Sequence, residues 1–219
     1  MKKVLLIIFA SLLSFTSANA VEFTVGLSGV NSVFAAEGTE NNYNESGASP
    51  VVTKEYGAFS PSFGEVFLET GNETVSIGLA YAESFSTPTN VNEAGCCATG
   101  AGNTSSVNVA FEGYTTLYAL VRAPWGLYGK LGWSTVDVKI NETQKSGNTY
   151  NDTDTQGVVL GFGWQKSSDN GIGIRAEVTG HQFEDVSADN NVATSGNRNE
   201  ISVSDMMGLS GRISILKTF

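Results

Sequence analysis

The chain has 219 residues, with 12 basic and 22 acidic side chains, a formal charge of −10, one histidine, two cysteines, 25 glycines and four prolines. So acidic a chain lacks the basic face that phosphate recognition needs, which argues against nucleic acid as a partner. One histidine and two adjacent cysteines leave little for a zinc site, and 41% hydrophobic with 10% aromatic content can build a packed structure rather than a disordered one.

The first twenty residues read as a secretory signal. Lys2 and Lys3 give the positive end, Val4 to Leu13 an apolar run interrupted by Ser11, and Ala18-Asn19-Ala20 a small-x-small cleavage pattern. The apolar run is too short for a membrane-spanning helix, which needs roughly 20 residues. Cleavage after Ala20 is expected, leaving a chain that begins at Val21. No later apolar stretch approaches that spanning length, so any membrane crossing must use strands.

From there the chain alternates with a period of two, the signature of strands whose faces differ. Eight strands are predicted, over 22–34, 59–70, 74–85, 107–123, 127–140, 156–168, 172–185 and 200–219. Val75, Ile77, Leu79 and Tyr81 form one stripe, and Val158, Leu160, Phe162 and Trp164 another, each opposed by small residues. Gly71-Asn72-Glu73, Pro124-Trp125-Gly126 and Asp169-Asn170-Gly171 are tight-turn compositions. The connections 35–58, 86–106, 141–155 and 186–199 are long and polar. Short and long connections alternate, so the long ones gather at one end of an up-and-down antiparallel sheet.

Such a sheet in lipid must close, because an open edge leaves backbone groups unsatisfied. An even strand number puts both termini on the short-turn side, as outer-membrane barrels require, and eight is their smallest common size. The expected fold is therefore all-β, a closed eight-stranded transmembrane barrel. A soluble carrier barrel of the lipocalin kind is the rival, and it would put the apolar stripe inside. Here the opposite stripe is Gly-, Ala-, Ser- and Tyr-rich and poor in charge, which suits a narrow packed lumen better than a wet surface. By strand parity Glu22, Glu112, Arg122, Lys130, Arg175, Glu177 and Arg212 point inward, with Glu65 and Glu69 as companions. Charges in a closed lumen need partners, so mutual pairing into a plug is expected; an ion-selective constriction is the sharper alternative. Trp125 and Trp164 near the short turns, and Trp133 and Phe85 toward the long loops, fit interfacial girdles.

The chain ends in Phe219, with Gly211, Ile213 and Ile215 on the same face. This resembles the signal that barrel-insertion machinery reads in Gram-negative bacteria, with Lys217 as a departure. With the leader and the loop rhythm, residues 21–219 resemble the OmpA-type and opacity-type superfamily of eight-stranded outer-membrane barrels. The resemblance implies a signal peptide over 1–20, one outer-membrane β-barrel domain over 21–219, and a monomer in outer-membrane lipid. The peptidoglycan-binding domain that often follows such barrels is not expected, because the chain stops at strand eight.

Enzymatic barrels are tested residue by residue. The lipid A deacylase family has a similar architecture and uses a His-x-Ser pair with a Glu, whereas His181 is followed by Gln182 and Phe183. A protease-like Asp-His pair through Asp185 has no placed partner to support it. No catalytic residue, cofactor or metal is therefore expected. Cys96-Cys97 lies in the second long connection, where adjacent cysteines bridge only through a strained ring. Acidic residues crowd the first connection, with Glu37, Glu40, Glu45 and Glu55 beside Lys54, and Asp152 and Asp154 sit in the third. The expected role is structural or surface-interacting, through loops that could meet an extracellular ligand or host factor. A small-solute porin-like channel is the first alternative, and a soluble periplasmic carrier the second.

Overall fold

The computed structural model describes residues 21–44, 50–87, 90–93, 104–143, 150–190 and 197–219. The leader with Ala18 and Ala20, and the Cys96-Cys97 pair, lie outside the described residues. Among the described residues eleven strands form one sheet: β1 (Glu22–Asn44), β2 (Val51–Phe59), β3 (Ser62–Gly71), β4 (Val75–Ser86), β5 (Asn90–Glu93), β6 (Thr104–Arg122), β7 (Leu127–Thr143), β8 (Thr153–Ser167), β9 (Ile172–Phe183), β10 (Val186–Asp189) and β11 (Asn197–Thr218). Eight of these, in the order β1-β3-β4-β6-β7-β8-β9-β11, make a closed antiparallel circuit, sealed by β11 pairing back on β1 from Thr24↔Thr218 to Asn44↔Asn197. Strands β2, β5 and β10 continue the courses of β3, β4 and β9 beyond the circuit at the long-loop end, each laddered to one neighbour.

The three short turns fall where the Gly-containing tripeptides predict them. Gly126 and Gly171 have φ of 89° and 79°, a left-handed backbone that a side chain disfavours. A Cβ at Gly171 would also lie 2.2 Å from the Thr218 carbonyl oxygen.

Apolar side chains cover the outside of the circuit. Leu27 and Val33 on β1, Val66 and Leu68 on β3, Leu131 on β7, Leu160 and Phe162 on β8, Ile174 on β9, and Ile213 and Ile215 on β11 are all exposed. A water-soluble barrel buries these positions, so the carrier reading fails on orientation; in lipid the same face is favourable. Aromatic residues rim the belt, with Phe23, Trp125, Trp164 and Phe219 at the short-turn edge and Tyr81 and Trp133 at the other. Phe85 differs from its expected girdle position, because it turns inward and stacks on Phe63 and Phe111. Above the belt the outward positions become charged: Glu83, Glu112, Asp137, Asp154, Glu184 and Asp205 are exposed.

Two irregularities lie at that upper edge. The β6–β7 register shifts between Glu112 and Thr115, around Gly113 at φ 64°, a bulge that inserts a residue and reverses the parity beyond it. Phe111 and Tyr114 are both buried in consequence, and Glu112, expected inside, is exposed opposite Asp137. A second shift separates Ala35 from Glu37 on β1.

The long connections are shorter than the polar composition suggests. Within 35–58, β1 runs on to Asn44 and β2 returns from Val51, so Glu37, Glu40, Lys54 and Glu55 stand on sheet rather than in a loose loop. Almost every β2 side chain is exposed, which erases the one-sided alternation that marks a strand in sequence.

Candidate functional site

The lumen is built from two carboxylates and the cations that converge on them. Near the short-turn end, Glu69 on β3 takes a two-pronged pair from Arg175 on β9, at 2.6 and 2.8 Å. Arg122 on β6 donates to the same carboxylate at 2.9 Å, and the Tyr118 hydroxyl at 2.8 Å. Gln165 on β8 accepts from Arg175 at 2.7 Å, and Ser76 on β4 accepts from Arg122 at 2.8 Å. One turn of the wall higher, Glu177 on β9 accepts from Lys130 at 2.9 Å, from the Tyr128 hydroxyl at 2.7 Å, and from Arg212. Arg212 also reaches Glu65 on β3 at 2.9 Å.

The bonds of Glu69, those of Lys130 and Tyr128 to Glu177, and that of Arg212 to Glu65 join strands that are not neighbours, whereas Arg212–Glu177, Arg175–Gln165 and Arg122–Ser76 tie adjacent strands. Seven of the eight circuit strands contribute a group, and β1 faces the lumen with Ser28, which pairs with Ser214 on β11 at 2.9 Å. Glu65, Glu69, Lys130, Arg175, Glu177 and Arg212 are each 5% exposed or less. Burying single charges would cost several kcal/mol apiece; here each finds an opposite charge, and Glu69, Arg175 and Glu177 find neutral hydrogen-bond partners as well. Aromatic faces complete the shell, with Lys130 over Tyr118 at 4.1 Å and Arg175 over Phe67 at 4.8 Å. The rings fit because glycines face them: a Cβ at Gly78 or Gly163 would come within 2.4 Å of Tyr118 or Tyr128.

Of the residues predicted for the lumen, Arg122, Lys130, Arg175, Glu177 and Arg212 are brought together with Glu65 and Glu69. Glu22 lies at the short-turn mouth, half-buried, lining a polar recess of about 410 Å³ with Glu69 and Arg122. Glu112 is not in the lumen. Gly211, Ile213, Ile215 and Phe219 all point outward, and Phe219 and Phe23 exchange backbone hydrogen bonds at 2.8 and 3.3 Å. Sequence reasoning missed the Tyr118 and Tyr128 hydroxyls and the Gln165 amide. Their inward parity among charges was the available signal, because a buried hydroxyl or amide must find a partner.

Above the charges lies a layer of neutral polar groups. His181 joins the Tyr114 hydroxyl at 3.1 Å through Nδ1 and Ser210 at 2.9 Å through Nε2. Ser210 meets Ser32 at 2.8 Å, and Ser134 meets Thr116 at 2.7 Å. Higher again, Phe34, Phe59, Phe63, Phe85, Phe111 and Phe183 pack as rings. No group of three or more His, Cys, Asp or Glu side chains is arranged for a metal among the described residues.

Two ion pairs stand outside the belt, Lys139–Asp152 with both partners exposed and Lys54–Glu37 with a buried carboxylate. Lys139 donates to Asp152 at 2.8 Å; that bond, then the Ile140 amide, holds the Asp152 carboxyl below its usual range. Lys54 pairs with Glu37 across β1 and β2, and this contact, followed by the Tyr56 hydroxyl, lowers the Glu37 carboxyl.

A closed eight-stranded antiparallel barrel with an apolar exterior and a charge-filled lumen defines the class: an outer-membrane-type β-barrel. Among solved structures, the chain is similar to the outer membrane protein OprG from Pseudomonas aeruginosa, with a TM-score of 0.54 at 11% identity over 92% of this chain and 97% of that one. It also aligns with the attachment invasion locus protein Ail of Yersinia pestis, TM-score 0.42 at 12% identity over 87% of this chain and 99% of that one. The outer membrane protease OmpT from Escherichia coli aligns with TM-score 0.42 at 12% identity over 94% and 98%. The OprG alignment supports the fold alone, and the other two scores are too low to carry an argument. No family model matches the sequence, and no curated protein matches it.

Proposed function

We propose that the protein is an integral outer-membrane barrel of the OmpA-type or opacity-type kind, with a plugged lumen and a working surface on its long-loop side. The observation that carries this reading is the pair of carboxylate-centred networks at Glu69 and Glu177, which tie together strands that are not neighbours in the wall. An eight-stranded interior is only just wide enough for its own side chains, and here those side chains are tied to one another. The lumen then acts as a strut. The strands that rise past the belt, with acidic residues along them, supply a surface for an extracellular ligand or host factor. Gly211, Ile213, Ile215 and Phe219 serve as the insertion signal, and Ala18 and Ala20 as the cleavage site.

Membrane integration is tested by fractionation and by gel migration with and without boiling. A folded barrel partitions with outer membranes and migrates faster unboiled. A single unmodifiable band from the soluble fraction overturns the reading. The plug is tested in planar bilayers: the protein should show no steps above background, whereas steady conductance that changes with Arg175→Ala establishes a small-solute channel instead. Grafting the 35–58 and 86–106 segments onto an inert barrel should transfer binding; failure to transfer any removes the surface role.

A further inference from the structure

Beyond the belt, the wall divides into two sheets that face one another. One contains β2, the upper part of β1, the upper part of β11 and β10, in that order; the other contains β5, β6, β7 and the start of β8. Among the described residues β2 is laddered to β1 and β10 to β11, and no ladder joins β2 to β5. Between the two sheets lies a cleft of about 450 Å³, within the range of small-molecule sites.

Its walls are apolar on both sides. Val109, Val138 and Ile140 look across at Val186, Ile201 and Val203. The floor includes three rings, Phe34, Phe59 and Phe111: Phe59 and Phe111 stack at 5.5 Å and 5°, and Phe34 stacks on Phe59 at 5.5 Å and 30°. Glu55 is the single charged side chain among the described residues that line the cleft. The outside of both sheets carries charge, with Lys54, Glu112, Asp137 and Asp205 exposed beside Val52 and Tyr56, so this is an apolar interior standing in water rather than lipid, open among the described residues between β2 and its neighbouring course.

We propose that the cleft binds a small uncharged apolar molecule carrying a flat ring, which inserts between the sheets and continues the ring stack of the floor. The ring follows from the floor, because aromatic faces gain most from an offset parallel partner. The lack of charge follows from the lining, since no cation stands among the described lining residues to meet an anion and a desolvated charge without a partner is costly. The inference rests on the reading that this end stands outside the membrane, and extends its surface role to a specific ligand class.

Two adjacent methionines supply the test. Met206 is buried and lines the cleft, whereas Met207 is 57% exposed on the lipid-facing side. The full chain is labelled with 13C-methyl methionine, reconstituted in lipid nanodiscs and titrated with naphthalene. A saturable shift of the Met206 methyl signal is expected, while Met207 reports unsaturable partitioning into lipid. Parallel, unsaturable drift of both signals overturns the proposal, as does a silent Met206. If deletion of 94–103 makes a silent cleft responsive, the chain itself is the occupant and the proposal fails in that form. Ile201→Arg should weaken naphthalene binding at least tenfold with heat-modifiability intact. Should it not fold, Ala188→Trp fills the same space; unchanged affinity in a folded variant overturns the proposal. Loss of heat-modifiability in the parent protein would instead be a failure of the barrel reading.

Discussion

The lower and upper halves of the molecule obey opposite rules. Within the belt the wall is apolar outside and polar inside, with Glu69 and Glu177 at the centre. Above it the arrangement reverts to that of a soluble sheet, with Phe59, Phe111 and Val203 inside and Glu83, Glu112 and Asp205 outside. The switch happens within a few residues on β4, β6 and β11. One alternating pattern therefore serves two solvents, and the side that carries the apolar residues depends on whether lipid or water lies outside. Cohesion differs accordingly: directional and long-range across the lower lumen, stacked and dispersive in the upper one.

The largest expected effect lies in the lower half. Arg212→Met strips Glu65 of its ion pair and Glu177 of one of its two, and should destabilise the barrel by about 3–5 kcal/mol. Urea unfolding in lipid vesicles measures it. Phe34→Ala in the upper half empties a ring position at 3% exposure and should cost roughly 3 kcal/mol. The upper-half loss should leave the boiled and unboiled gel bands of the lower barrel distinct. If Phe34→Ala abolishes that distinction and Arg212→Met does not, the cohesion of the two halves has been assigned the wrong way round.

Smaller changes sharpen the boundary. Glu112→Gln should shift stability by less than about 0.5 kcal/mol, because the side chain stands outside the wall. A loss comparable with that of Glu177→Gln would put Glu112 back in the lumen. The smallest effect belongs to Lys139 and Asp152. Since the Asp152 carboxyl is lowered by its lysine, the pair contributes above the ordinary carboxylate range and fades as pH falls through the lowered value. The Asp152 carboxyl signal should titrate below the ordinary carboxylate range at low salt and move back toward it as salt is raised; titration in the ordinary range at low salt would remove the pair.

Much of the barrel was legible because its signals are local. Turn glycines, the parity of Val158 to Trp164 and the spacing of charges each follow from one strand read alone. The failures share a cause. Glu112 was placed by counting through Gly113, and a bulge resets the count without changing composition beyond that glycine. Strand β2 was missed because both its faces are exposed, leaving Val51, Val52 and Lys54 without an alternation to betray them. The tyrosine hydroxyls at Glu69 and Glu177 depend on which strands stand opposite one another, a property of closure that no single strand carries.

The seam between β1 and β11 sets the order of events in assembly. Thr24 and Thr218, joined by their hydroxyls, are separated by 194 positions along the chain, so this ladder is the costliest in loop entropy and cannot nucleate early. Until β11 arrives, β1 and β9 both present bare edges, the surfaces most prone to unwanted pairing. These two edges stay unpaired longest, so the seam is the last part of the wall to close.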